Sequence, residues 1–542
     1  SHRLAGDPRT QGWGRRTYTC ATAPPAVPDR NTESMTRFIF KRLGIALGVL
    51  IAATYLFFLL AANAGDPLED LRTSQQQNRE QLIEARTAEL NLDVPVPVRY
   101  FYWAGDAITG DLGTDYRTGQ EVTDMIAQAS GQTLKLIGFS SVAAIILGVM
   151  VGVISALRQY TGFDYGVTVV NFLLYSLPSF WVAVLLKQWG AIGFNDFLAD
   201  PTIPPLALLT IGGALGVVVG AAVGGVWKNR LIAGGATAVL SMAILGFMSA
   251  TEWFTDPSLG PVVILVLGLG FAFAVTFLAA GLNNRKALYT ALVMAGAGAV
   301  AWWPMQMAFG YTDGLVAFIQ LVGFIVAGYV VGLLFRGPDK KISARVGAIT
   351  GGLVYGLLWL DYLMSWWLPY NETSAINGRP IATVGSSTPQ LSGNTNYWVG
   401  TLDTYTHMIL PILAIILISL AGYTRYMRGS MLEVMNLDYI RTARAKGLPE
   451  RTVVMRHGFR NALIPLATII PVDLASLIGG AVITETVFGW NGMGRLFVTA
   501  LKEANTNVLM GYFLVTGVLL VIGNMIADIL YAVLDPRIRV DA

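Results

Sequence analysis

The sequence predicts an all-helical, polytopic integral membrane protein with about twelve spanning segments, and three observations predict it. Of its 542 residues, 54% are hydrophobic. Only 13% are charged, against about 25% in soluble domains. The apolar residues also gather into blocks long enough to cross a hydrocarbon core of about 30 Å, which takes roughly 20 residues of helix. The 59 glycines and 13 tryptophans suit this class, because Gly permits close helix packing and Trp anchors at the interface.

The same composition argues against other chemistry. Cys20 is the single cysteine and cannot form an internal disulfide, while His2, His407 and His457 are too scattered for metal-ligand spacing. A net charge of +3 is too small to argue for a nucleic-acid partner. No G-x-x-x-x-G-K-[ST] loop occurs, so the backbone cradle and lysine that hold ATP phosphates are missing. No nucleophile and base pair stands out for a membrane hydrolase. The expectation is a chain that does not hydrolyse ATP by itself and has no cofactor or metal of its own.

Taken in order, residues 1–34 are polar, rich in Pro, Arg and Thr, and without helical or strand period; they read as disordered or as a misassigned start. The sequence MTRFIFKRLGIALGVL then opens a first span at about Phe38 to Ala62, with Arg37, Lys41 and Arg42 placing its N-terminus in the cytoplasm. A signal peptide is a poorer reading, since the apolar block is long and lacks a small-residue cleavage pattern. An external subdomain at 65–131 follows. From Asp66 to Asp124 it carries twelve acidic residues against five Arg and no Lys. Gln75 to Leu90 has helix-forming composition, and Pro95 and Pro97 break that helix. Spans two and three lie near Leu134 to Leu157 and Val167 to Trp189, which completes a first unit at 35–190.

Six further spans are expected at about Pro205 to Trp227, Leu231 to Ala250, Val262 to Leu282, Leu288 to Phe309, Leu315 to Phe335 and Val346 to Trp367, within a unit at 191–405. The final unit, 406–542, holds spans near Met408 to Tyr426, Ala462 to Thr484 and Tyr512 to Leu534. Cytoplasmic loops should be rich in Lys and Arg. Starting inside, they carry Arg158; Lys228 and Arg230; Arg285 and Lys286; and Arg336, Lys340, Lys341 and Arg345. The external loops at 251–260 and 310–314 have no basic residue. Both chain ends are therefore expected in the cytoplasm, with the membrane crossed many times.

The loop at 427–461 carries the chemistry. It reads MLEVMNLDYIRTARAKGLPERTVVMRHGFRNALIPL from Met431 to Leu466 and is too polar for lipid. Asn436 is suited to an N-cap, Leu437 to Lys446 to a short helix, Gly447 to its C′ position and Pro449 to a stop or restart. On that helix Asp438, Thr442 and Ala445 share one face, a small-residue ridge that another protein can approach closely. Arg441, Arg444 and Lys446 add charge beside it.

In DYIRTARAKGL at 438–448, RH at 456–457 and RNALIP at 460–465, this loop resembles the coupling loop of ABC importer permeases of the dipeptide, oligopeptide and nickel type. Other stretches resemble the same family in the same order: GDP at 65–67, ELNLDVPVPVRYFYW at 89–103, GDLG at 110–113, HMILP at 407–411, GGAVITETVFGWNGMGRL at 479–496 and NMIADILYAVLDPRIR at 524–539. The resemblance implies that Asp438, Tyr439, Arg441, Thr442, Ala443, Arg444, Ala445, Lys446, Gly447 and Leu448, with Arg456 and His457, form the ATPase-coupling segment. It implies a homologous second permease, two ATPases that bind ATP and Mg, an external substrate-binding protein and a lipid surround. Members usually have six spans, so the six between the third span and HMILP read as an inserted module without a chemical motif. An even number preserves the orientation of everything downstream.

Asp473, in the eleventh segment, is the candidate pathway residue, since an ionised side chain there is costly unless it faces protein or water. The competing readings are a pair within the bundle or an interruption at Pro465 and Pro471. Asp528 falls in a family motif and suits interface packing as well as transport. His407 and His457 are expected to hydrogen-bond. A peptide is the favoured cargo, with nickel or another small solute as the alternative. Two rivals stand beside an ABC permease: an ion-coupled secondary transporter, which the twelve spans and Asp473 permit, and a structural subunit with no pathway.

Overall fold

The computed structural model describes residues 35–534 except 224, 336–339, 392 and 394–395. The segment 1–34 with Cys20, the loop residue Arg336, and the DPRIR end of the last motif lie outside the described residues. Among the described residues the regular structure is helical, with one isolated bridge between Thr114 and Glu121. Eleven helices are long and apolar enough to cross a membrane, and a bent pair makes a twelfth candidate.

Helix α1 (Met35–Ala62) is followed by the short helices α2 (Glu69–Arg72), α3 (Arg79–Glu89) and α4 (Val96–Thr109). The helix expected within 75–90 is α3, but α4 went unforeseen. Pro95 and Pro97 do not merely end a helix: Pro95 is the N-cap of α4 and Pro97 lies in its first turn, where a missing N–H costs nothing. Tyr100 and Trp103 of α4 pack on Phe58 and Ala61 of α1, and the Tyr100 and Thr54 hydroxyls are 3.0 Å apart. The second span, α5 (Val122–Leu157), begins well before Leu134. Its 36 residues run about 54 Å, so it projects beyond a hydrocarbon core.

The third span is not one straight helix. It comprises α6 (Gly162–Ser176), α7 (Ser179–Leu186), a π-helical turn at Lys187–Ile192 and α8 (Gly193–Ala199), with the two halves bent by 102°. Pro178 disfavours helical backbone at the residue before it, and Leu177 is extended at φ −78° and ψ 131°.

Six helices follow: α9 (Pro205–Val223), α10 (Trp227–Ala250), α11 (Gly260–Ala279), α12 (Arg285–Phe309), α13 (Gly314–Leu334) and α14 (Lys340–Met364). Lipid offers helices no hydrophobic drive to associate, so close packing of small residues holds them together. Gly216 of α9 sits on Gly234 of α10, and Gly328 and Gly332 of α13 sit on Gly347 and Ala344 of α14. Buried Asp361 of α14 ties three helices. It accepts from the backbone N–H groups of Leu259 (2.7 Å) and Gly260 (3.0 Å), from Trp302 Nε1 (2.6 Å) and from Gln306 Nε2 (2.8 Å).

After α15 (Trp367–Asn371), the 39-residue helix α16 (Tyr397–Met435) leads to α17 (Asp438–Ala445), α18 (Glu450–Thr452), a π-helical turn at Val453–Phe459, α19 (Arg460–Gly480), α20 (Val482–Phe488), α21 (Met493–Lys502) and α22 (Thr506–Leu534). Helices α5 and α16 run parallel, with Gly148 and Gly152 against Tyr423 and Met427. Arg428 Nε and Nη2 grip Asp164 at the start of α6 at 2.8 and 3.0 Å. Gly190 meets Leu410, so between those contacts the bent span follows eighteen residues of α16, about 27 Å. That reach is close to the hydrocarbon thickness of about 30 Å, so the bent pair is long enough to cross despite its bend. The six-helix group meets α16 near its start, where Trp398 Nε1 donates to the Phe309 carbonyl at 2.8 Å and Trp398, Val399 and Leu402 join the core of Phe309, Tyr355 and Leu358.

Candidate functional site

Helix α17 begins two residues after α16 ends. Asn436 is not its N-cap: it closes α16, with Nδ2 donating to the Leu432 carbonyl at 2.9 Å, and extended Leu437 (ψ 151°) caps α17. The C-terminus follows the sequence reading. Gly447 has φ +73°, its N–H bonds the Arg444 carbonyl at 2.9 Å, and the Leu448 N–H reaches the Ala443 carbonyl at 3.4 Å. This is the double bond of a left-handed helix stop. Pro449 then caps α18.

One face of α17 is fastened to the bundle. Buried Ile440 and Ala443 pack on Val453 and Met435. The Tyr439 hydroxyl accepts from Asn461 Nδ2 at 2.9 Å, and Ser430 Oγ donates to the Ala462 carbonyl at 2.8 Å. Asp438, Thr442 and Ala445 form the opposite, exposed face, with Lys446, Gly447 and Leu448 exposed at its end. Arg441 lies 3.5 Å from Asp438. Arg444 pairs with Glu450 at 2.7 Å, a hydrogen bond that raises the guanidinium pKa further above its ordinary value. Arg456 is exposed and His457 half-buried on the π-helical turn. Helix α17 thus rests on both Met435, at the end of α16, and Val453, at the start of the π-helical turn that leads into α19.

The structure does not bring Asp473 to this segment. It lies twelve residues along α19 from Asn461, about 18 Å. There it lines a cavity of about 180 Å³ with Ser419, Gly422, Tyr423, Tyr426, Ser476 and Leu477. Helix α19 is continuous through Pro465 and Pro471, so the interruption considered from sequence does not form. Asp528 pairs with Arg42 of α1 at 3.4 Å. His407 is buried, its Nδ1 2.7 Å from the Asp403 carbonyl oxygen.

Sequence reasoning missed Glu485. This fully buried carboxylate accepts from Thr133 Oγ1 at 2.7 Å, from the Gly494 N–H at 2.7 Å and from the Arg495 N–H at 3.2 Å. It satisfies the first N–H groups of α21 and ties them to α5, which accounts physically for ETVFGWNGMGRL. The glycines at 492 and 494 are the available signal: a Cβ at either would meet the carboxylate or its helix.

Residues 353–540 match the family of binding-protein-dependent transport system inner membrane components. The chain is similar to oligopeptide transport system permease protein AppB of Bacillus subtilis (strain 168), 26% identical over 509 residues, covering 93% of this chain and all of that protein. It is similar at 25% over 506 residues to oligopeptide transport system permease protein OppB of Mycobacterium bovis, again covering 93% of this chain and all of the relative. Dipeptide transport system permease protein DppB of Escherichia coli (strain K12) is 44% identical over 138 residues, 26% of this chain and 41% of that protein. The matches, the multi-pass helical fold and the polar helix held between two spans agree: residues 353–540 carry the binding-protein-dependent inner membrane component domain, and the chain as a whole is similar to peptide permease subunits of ABC importers.

Proposed function

We propose that this permease forms half of a translocation pathway for di- or oligopeptides and takes its energy from separate ATPase subunits through α17. The observation that carries the reading is the two-faced construction of that helix: Ile440 and Ala443 are anchored, while Asp438, Thr442 and Ala445 stand free along the outer face. A helix held this way suits docking and transmission. The peptide cargo rests on the names of the relatives, which are oligopeptide and dipeptide permeases.

The assembly comprises this chain, a homologous second permease, two ATPases that bind ATP and Mg, and an external substrate-binding protein, in a prokaryotic inner or plasma membrane with both termini cytoplasmic. The core consists of α1, α5, the bent third span, α16, α19 and α22; α9–α14 are a module inserted into it. Closure of the ATPases on ATP moves α17, which shifts α16 and α19 and turns the cavity between the permeases outward. Asp473 lies on α19, within the moving part, and meets the peptide amine.

Gentle solubilisation of the tagged chain should retain two ATPases and a second permease. A complex without ATPases would overturn the reading. In that complex, Asp473→Asn should lower peptide uptake without loss of subunits; unchanged uptake would remove Asp473 from the pathway.

A further inference from the structure

Arg451 joins two parts of the chain that are far apart in sequence. It stands in α18 beside Glu450, the partner of Arg444 on α17. Its guanidinium donates to the carbonyls of Phe277 and Leu278, the latter at 3.1 Å, and lies 5.7 Å from the Phe277 ring centroid. Both carbonyls belong to the last turn of α11, where unpaired C=O groups carry partial negative charge and favour a cation. A Cβ added at Gly281, which has φ +81°, would overlap the same guanidinium. A side chain there would be strained and would displace Arg451, so glycine permits both the turn and the contact. Beyond it, Leu282, Asn283 and Arg285 are exposed, Leu282 at 46%.

The loop from α11 to α12 is thus held next to α18, and α18 next to α17. A standard protein interface covers about 800 Å² on each partner, a patch roughly 30 Å across. That width exceeds the reach of one arginine side chain several-fold. A partner seated on Asp438, Thr442 and Ala445 with a footprint of that width can reach this loop as well.

We propose that the α11–α12 loop with the first residue of α12, Leu282 to Arg285, is a second docking contact for the ATPase subunit, continuous with the α17 surface. The proposal rests on the reading of α17 as the coupling helix. Leu282 supplies an apolar knob and Arg285 a cation for a carboxylate on the ATPase. The six-helix group thereby has a role in assembly, and Arg451 is the residue that positions its loop.

The test is thiol-to-amine cross-linking in the purified full complex, with Cys20→Ser as background. Cysteines replace Asn283 in one variant and Ala445 in another. Both should cross-link to the ATPase, and Leu282→Asp with Arg285→Glu should lower ATPase retention several-fold while membrane insertion is unchanged. Cross-linking from position 445 but not from 283 would overturn the loop's role and leave the coupling helix standing. Cross-linking from neither would overturn both.

Discussion

Single residues fix the geometry of α17 and its surroundings. Gly447 combines a left-handed backbone with open space around its Cβ position, where no atom lies within 4 Å. A larger residue there meets strain of about 1–2 kcal/mol rather than a clash within the chain, and any obstruction falls on a docked partner. That position was legible because Gly before Leu-Pro, after a helical run, has few other readings. Asn436 was not, since Asn suits either end of a helix and α16 runs well past Tyr426 to claim it. Glu485 was hidden for another reason: two of its three partners are backbone N–H groups, which no side-chain pattern announces. Hydrogen bonds to a charged group are worth about 1.5–3 kcal/mol each. Glu485→Gln retains shape but loses the charge and one acceptor, and should lower the stability of the solubilised protein by about that amount in thermal unfolding. An unchanged midpoint would contradict its role at α21.

At the scale of elements, apolar blocks revealed the spans but not their ends. Helices α5 and α16 extend into polar sequence at their N-terminal ends, where α5 packs on α21 and Asp403 of α16 accepts from the N–H and hydroxyl of Thr388. The bend at Pro178 was legible as a proline and overlooked because the block around it remains apolar. In the polar segment after α1, α2 and α3 are tied by Arg86 and Asp70 at 2.7 Å. Burial acts to raise the Asp70 carboxyl, but the hydrogen bond and charge of Arg86 outweigh it and hold the group below the ordinary carboxylate range. A depressed carboxylate contributes stability above its unfolded pKa and loses it as pH falls through the folded one. Limited proteolysis between α2 and α3 should therefore accelerate as pH drops below about 4. Asp70→Asn should be cleaved faster at neutral pH and show less of this acid response; an identical response would exclude the pair as its cause.

For the molecule as a whole, the sequence reads α9–α14 as an inserted module without a chemical motif. The structure shows α9–α14 touching the core at both ends, through Trp398 and Phe309 and through Arg451 and Leu278. Deletion with a short linker should consequently leave the membrane core able to insert but reduce, without abolishing, ATPase co-purification; complete loss would make the module part of the core. These long-range contacts were illegible because each joins residues whose own neighbourhoods look ordinary. The central claim is that α17 carries force between ATP hydrolysis and the spans. Its most direct test is ATPase activity of the reconstituted complex with and without the substrate-loaded binding protein, comparing wild type, Arg444→Ala and Gly447→Trp. An exposed ion pair is worth only about 0–1 kcal/mol, so Arg444→Ala should weaken stimulation slightly. Gly447→Trp should insert normally yet hydrolyse ATP at the same rate whether or not substrate is delivered. Wild-type assembly and wild-type stimulation in Gly447→Trp would contradict the account.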